Sequence, residues 1–245
     1  MRVRKDQVYR RIWEKALDAV FPPRCPVCDR VIGIQGQRIC PECREKLQIL
    51  REPLCRKCGR ALPDETQEYC RDCMEHSHSF DEGAALYDYP TVRDAVFRFK
   101  YMGRQEYKLF FGEEMARVLG SRIRAWKADA LVPVPLHPSR KRKRGYNQAQ
   151  LLAEELGKHL SLPVYKDYVL RVKKTAPQKA LNAAERQNNL KRAFKIGRND
   201  VKLNTIIIID DIYTTGSTID EITKVCRRAG VEKVCFVALA MGSGL

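Results

Sequence analysis

The stretch "IIIIDDIYTTGST", Ile206 to Thr218, decides how this chain is read. Ile206 to Ile209 are consecutive β-branched apolar residues ended by acids and a glycine turn, a pattern that suits a central strand buried on both faces. Beyond Gly216, the residues Ile219, Ile222, Val225 and Cys226 recur at helical spacing, with Ser217 or Thr218 as the expected cap. The predicted order is strand, tight loop, helix. Open α/β sheets bind ligands at that junction.

The side chains say what kind of ligand. Free N–H groups and the positive end of a helix favour an anion, the dipole alone by about 0.3–1 kcal/mol. Thr214, Thr215, Ser217 and Thr218 add hydroxyl donors, and Gly216 lets the backbone come close. Asp210 and Asp211 repel a phosphate but suit vicinal hydroxyls or a hydrated Mg²⁺. Together they imply a sugar phosphate carrying a diol. A P-loop requires G-x-x-x-x-G-K-[ST], and no lysine follows Gly216.

The stretch resembles the phosphoribosyl pyrophosphate (PRPP) motif of type I phosphoribosyltransferases. The resemblance implies that Asp210 and Asp211 hold the ribose hydroxyls, that Thr214, Thr215, Gly216, Ser217 and Thr218 wrap the 5′-phosphate, and that Mg²⁺ accompanies PRPP.

Around this motif lie 245 residues with 46 Lys and Arg against 30 Asp and Glu, a formal charge of +16. Such a balance favours polyanionic or phosphate-rich partners. No apolar run approaches membrane length. The N-terminal "MRVRKDQVYRRIWEKALDAVF" is basic, but Glu14, Lys15 and Asp18 interrupt a signal-peptide core. Val8, Ile12, Ala16 and Leu17 share a helical face, so residues 1–22 read as a docked helix and the chain as cytoplasmic.

Eight of the ten cysteines form four C-x-x-C pairs: Cys25 and Cys28, Cys40 and Cys43, Cys55 and Cys58, Cys70 and Cys73. In a cytoplasmic chain this reads as zinc, not disulfides. Four pairs make two closed four-sulfur sites, structural and not catalytic. At −2 for each set of four thiolates and one Zn²⁺, two sites lower the formal +16 to +12. Residues 23–78 hold too few large apolar residues for a core. Zinc replaces one at about 10–16 kcal/mol per site. Tandem ribbons are expected over a cross-braced pair, because each then closes a short loop. Serine at Cys25 or Cys58 is expected to unfold this module alone. His76 and His78 read as linker residues, and Cys226 and Cys235 as small core residues.

From residue 79 to 245 the pattern is that of an α/β domain. Strands are expected at "GAALYDY", Ala130–Val134, "LPVYKDYVLRV", 205–209 and 232–240, with helices between them. The alternation predicts a parallel sheet with helices on both faces. "VPVPLHPSRKRKRGYNQ" (132–148) lies between a strand and a helix and carries the unbroken basic run Arg140 to Arg144. It reads as a pyrophosphate cradle built from His137, Arg144, Gly145, Tyr146, Asn147 and Gln148. "RVKKTAPQKALNAAERQNNL" (171–190) is polar and without periodicity, as closing loops often are.

The positions of these two segments match the pyrophosphate loop and flexible loop of phosphoribosyltransferases. Arg171, Thr175, Gln178, Leu181, Arg186 and Asn189 resemble the spaced set of the ComF/ComFC family, as does the order of zinc ribbon, "VPVP", "RGYNQAQ" and "DDIYTTGST". The resemblance covers nearly the whole chain. It implies catalytic roles for Asp210, Asp211 and Arg171, and a part in natural competence, the uptake of single-stranded DNA, alongside other competence proteins such as a helicase or translocase. Two readings stay open: a transferase that passes the phosphoribosyl group to an acceptor no residue names and releases pyrophosphate, or a non-catalytic module binding single-stranded DNA, with PRPP only as a ligand or not at all and an aromatic such as Tyr146 stacking on bases.

Overall fold

The structure is a computed structural model that describes residues 22–32, 37–173, 193–197 and 201–242. The expected N-terminal helix through residue 21 and the closing-loop residues Thr175, Gln178, Leu181, Arg186 and Asn189 lie outside them.

Four parallel strands form the main sheet in the order β1 (Glu82–Asp88), β6 (Lys233–Met241), β5 (Thr205–Tyr213), β2 (Ala130–Pro133). The isoleucine run is central, and Ile206, Ile207, Ile208 and Ile209 are all fully buried. Each contributes about 1.5–3 kcal/mol by leaving water. Strand periodicity sends them alternately to two cores. Ile207 and Ile209 join Val237 and Leu239 under α1 (Tyr89–Tyr101), α2 (Tyr107–Ala125) and α4 (Gln148–Leu160). Ile206 and Ile208 join Phe236 and Ala238 under α5 (Ser217–Arg228). The two zinc ribbons divide between these cores. Cys25 and Cys43 belong to the first, and Cys55, Cys58 and Cys70 to the second.

Four local expectations need correction. β5 does not stop at the acids: it pairs with β6 through Tyr213, opposite Met241. "LPVYKDYVLRV" is not one strand. Val164 bridges Leu131, a turn follows, and β3 (Val169–Arg171) pairs antiparallel with β4 (Phe194–Ile196) in a separate sheet. The basic run is a short helix, α3 (Pro138–Arg144), with proline in its first turn and Gly145 closing it at φ 86°. Neither Ser217 nor Thr218 caps α5. Gly216 holds that place at φ 71°, because the chain leaving β5 must turn through a left-handed conformation.

Candidate functional site

Extending β5 through the acids determines where they point. The alternation that sorts Ile206 to Ile209 into two cores slips by one residue across the acids, since Ile212 packs with the core of Ile209 and Tyr213 with that of Ile208. Asp211 lies towards α1, where Lys100 Nζ is 2.9 Å from its Oδ1. Asp210 Oδ1 accepts the N–H of Asp211 at 2.8 Å. Burial and the neighbouring Asp211 carboxylate push Asp210 up to about 7, against the pull of Lys100 and Arg171. Arg171 is buried with its guanidinium 5.3 Å from the Phe194 ring centre. Burial and the nearby Arg140 pull it down to about 10, while Asp210 draws it back. Two acids and two cations from β5, α1 and β3 thus converge at one end of the sheet. Sequence reasoning missed Lys100, because nothing local distinguishes it within an amphipathic helix.

The raised Asp210 carries a stability cost at neutral pH. Its carboxyl binds protons more tightly folded than unfolded, so stability falls as pH rises from about 4 towards 7 and is level above that. Asp210→Asn should therefore melt higher than wild type at pH 8 and converge with it near pH 4. Thermal melts across that range check this, and an advantage confined to acid would refute it.

The loop Thr214 to Thr218 follows. A Cβ on Gly216 would sit 2.7 Å from Tyr213 Oη and 2.9 Å from the His78 ring, so the close turn requires glycine. Thr215 Oγ1 and Ser217 Oγ lie 3.0 Å apart. Thr214, Thr215, Ser217 and Thr218 are half-buried around Gly216 at the amino end of α5, the end where a helix dipole favours an anion.

The expected pyrophosphate segment divides into outward-facing and structural residues. The Arg144 guanidinium lies 4.9 Å from the Tyr101 ring centre and donates to Gln148 Oε1. Tyr146 is buried and donates its hydroxyl to Phe99 O, which Gln148 Nε2 also reaches at 3.3 Å. Its ring cannot stack on a base, which corrects that expectation. Asn147 is buried too. It donates to Val134 O at 2.9 Å and caps α4 by accepting from Ala149 N. His137 Nδ1 caps α3 through Ser139 N at 3.2 Å. Beside them opens a cleft of about 840 Å³ whose lining includes Lys141, Arg142, Lys166, Arg171 and Lys195 against Asp167. Cations outnumber acids along this lining.

The cysteines gather as Cys25, Cys28, Cys40, Cys43 and as Cys55, Cys58, Cys70, Cys73, with the sulfurs of each set within 4.8 Å of one another. The Cys28–Cys40 and Cys58–Cys70 sulfur separations are 3.8 and 3.6 Å. A tetrahedron with Zn–S bonds of about 2.3 Å has edges of about 3.8 Å, so both sets fit zinc, with sequential pairing.

Two family models match the chain: the double zinc ribbon domain over residues 16–74 and the phosphoribosyl transferase domain over residues 112–243. Similar proteins include Competence protein F of Haemophilus influenzae, 36% identical over 59% of this chain and 66% of that one. DNA utilization protein YhgH of Escherichia coli is 39% identical over 43% of this chain and 46% of its own. Competence protein ComFC of Bacillus subtilis is 30% identical over 56% and 55%. The chain belongs to the phosphoribosyl transferase domain family, as a ComF member. It spans about half to two thirds of the length of these relatives. In this ComF-family chain the matched transferase segment contains β5 with both acids, the loop Thr214 to Thr218 and α3. It leaves out α1 with Lys100, which the fold adds to the site. Among the described residues no helix is long and apolar enough to cross a membrane.

Proposed function

We propose that this ComF-family chain binds Mg²⁺-PRPP at the end of β5 and presents its anomeric carbon to an acceptor, as a phosphoribosyltransferase does. The observation that carries this reading is the placement of Asp210 and Asp211 side by side at the end of β5, with Asp210 Oδ1 accepting the N–H of Asp211 at 2.8 Å, directly before the glycine-hinged loop. The loop N–H groups and hydroxyls hold the 5′-phosphate, and the acids accept the ribose hydroxyls as charge-assisted bonds. Lys100, Arg144 and Arg171 offset the charge that builds on pyrophosphate as it departs. The paired carboxylates suit an oxygen-ligated Mg²⁺, which when bound neutralises pyrophosphate oxygens. Calorimetry with Mg²⁺-PRPP tests the binding, and pyrophosphate release across an acceptor panel tests turnover. Absence of heat with an intact fold would overturn the reading.

A second reading, compatible with the first, is single-stranded DNA binding in natural competence. We infer it from α3, which has no buried residue and carries Arg140, Lys141, Arg142, Lys143 and Arg144 beside the basic cleft. The names of the relatives, Competence protein F and DNA utilization protein, agree. The work would be cytoplasmic, alongside helicase or translocase proteins of the same process. Contact with about five phosphates gives a log–log salt slope of roughly −3.5. Alanine at Arg140, Lys141, Arg142 and Lys143 should make it shallower, and PRPP should compete with DNA. Anisotropy titrations over a salt series decide this. A flat response would leave the run a solvated face.

A further inference from the structure

The second zinc ribbon does more than close on its own metal. The turn after Cys58 places Gly59 against β1, where a Cβ would meet Gly83 O at 2.8 Å. That close approach brings Arg60 to the phosphate loop. Its Nη2 donates to Thr214 O at 2.9 Å, and its Nη1 donates to Gly242 O. In a trans peptide the carbonyl and the following N–H point in opposite directions. With Thr214 O held on the ribbon side, the Thr215 N–H is turned to the side away from the ribbon. A carbonyl facing that side would repel a phosphate.

The other end of the loop is held from the linker that leaves the same ribbon. Asp220 lies in the first turn of α5, where a free carboxylate would oppose an anion at the helix end. Both its oxygens are engaged. His78 Nδ1 lies 2.8 Å from Oδ2, and Ser79 N–H donates to Oδ1 at 2.6 Å. The His78 side chain is 3% exposed, stacks on Phe80 with ring centres 4.9 Å apart, and has its Nε2 3.5 Å from Asp72 Oδ2, next to the ligand Cys73. Its ring also abuts Gly216.

We propose that Arg60 and His78 are positioning residues for 5′-phosphate recognition, so that the second zinc ribbon forms part of the ligand site of the transferase domain. This rests on the PRPP reading and adds to it a division of labour. The 5′-phosphate end depends on the second ribbon. The pyrophosphate end, built on α1, α3 and β3, does not.

The test measures ribose 5-phosphate and Mg²⁺-pyrophosphate separately by calorimetry on the full chain. Arg60→Met and His78→Phe, the latter keeping the stack on Phe80, should each weaken ribose 5-phosphate by about tenfold. Pyrophosphate affinity and zinc content should stay at wild-type values. His78→Asn, whose amide can still donate to Asp220, should recover most of the loss. Equal losses for both probes would make these residues general supports and overturn the proposal, as would unchanged ribose 5-phosphate binding. If wild type binds neither probe, the PRPP reading itself falls, and this proposal with it. If wild type binds both and the variants match it, only the bracing falls. Should His78→Phe fail to fold, Asp220→Asn carries the same comparison.

Discussion

Replacing both Asp210 and Asp211 with asparagine should weaken Mg²⁺-PRPP binding by about 100-fold or more. In the proposed site each acid would hold a ribose hydroxyl through a charge-assisted hydrogen bond worth about 1.5–3 kcal/mol. At about 1.4 kcal/mol per factor of ten, losing both reaches at least two orders of magnitude. The two positions are not equivalent. Burial and the adjacent carboxylate hold Asp210 protonated to higher pH than an ordinary carboxyl, and Asp211 is the partner of Lys100 at 2.9 Å. Asp211→Asn alone leaves a partly buried lysine without that partner, whereas Asp210→Asn relieves a buried charge. The single variants should therefore separate in thermal stability while both lose affinity. Calorimetry beside thermal melts reads both effects. Wild-type affinity in a folded double variant would remove these residues from the site.

Removing zinc should unfold the chain as a whole, which departs from the sequence-based expectation that the ribbon module unfolds alone. Cys58 is fully buried in the same cluster as Ile208, Phe80 and Phe236, and Cys25 in the cluster of Ile207, Val237 and Phe99. The first ribbon also holds the helices. Asp29 accepts from Arg104 at 2.9 Å and from Tyr107 Oη at 2.7 Å, while Arg98 donates to Pro26 O at 3.1 Å. A structural zinc contributes about 10–16 kcal/mol, as much as the roughly 5–15 kcal/mol net stability of an ordinary domain. Metal analysis should find about two zinc ions per chain. A strong chelator, or Cys58→Ser, should abolish the far-ultraviolet helix signal in one transition shared with tertiary fluorescence. A ribbon that melts first, with the sheet and helices of residues 82–242 intact, would show that docking adds little.

The local plan of this protein was legible from its residues. A β-branched run followed by acids and a glycine turn specifies strand, loop and helix, because each depends on neighbours in the chain. Four C-x-x-C pairs specify zinc for the same reason, since a knuckle is a local shape. What the sequence does not show is what meets across the fold. Lys100 opposite Asp211, Arg60 on Thr214 and His78 on Asp220 join residues 111, 154 and 142 positions apart. No periodicity encodes such pairs. They arise because the parallel sheet brings the ends of β5 and α1 together and because Gly59 lets a zinc knuckle reach β1. Tyr146 shows the same limit. Its place in a basic, polar segment suggested an exposed ring, yet the ring is buried beside Phe99 of α1 and gives its hydroxyl to Phe99 O. Local chemistry determined which groups a ligand would need. Long-range packing alone decided which side chains face it, because orientation depends on contacts between segments that are distant in the chain.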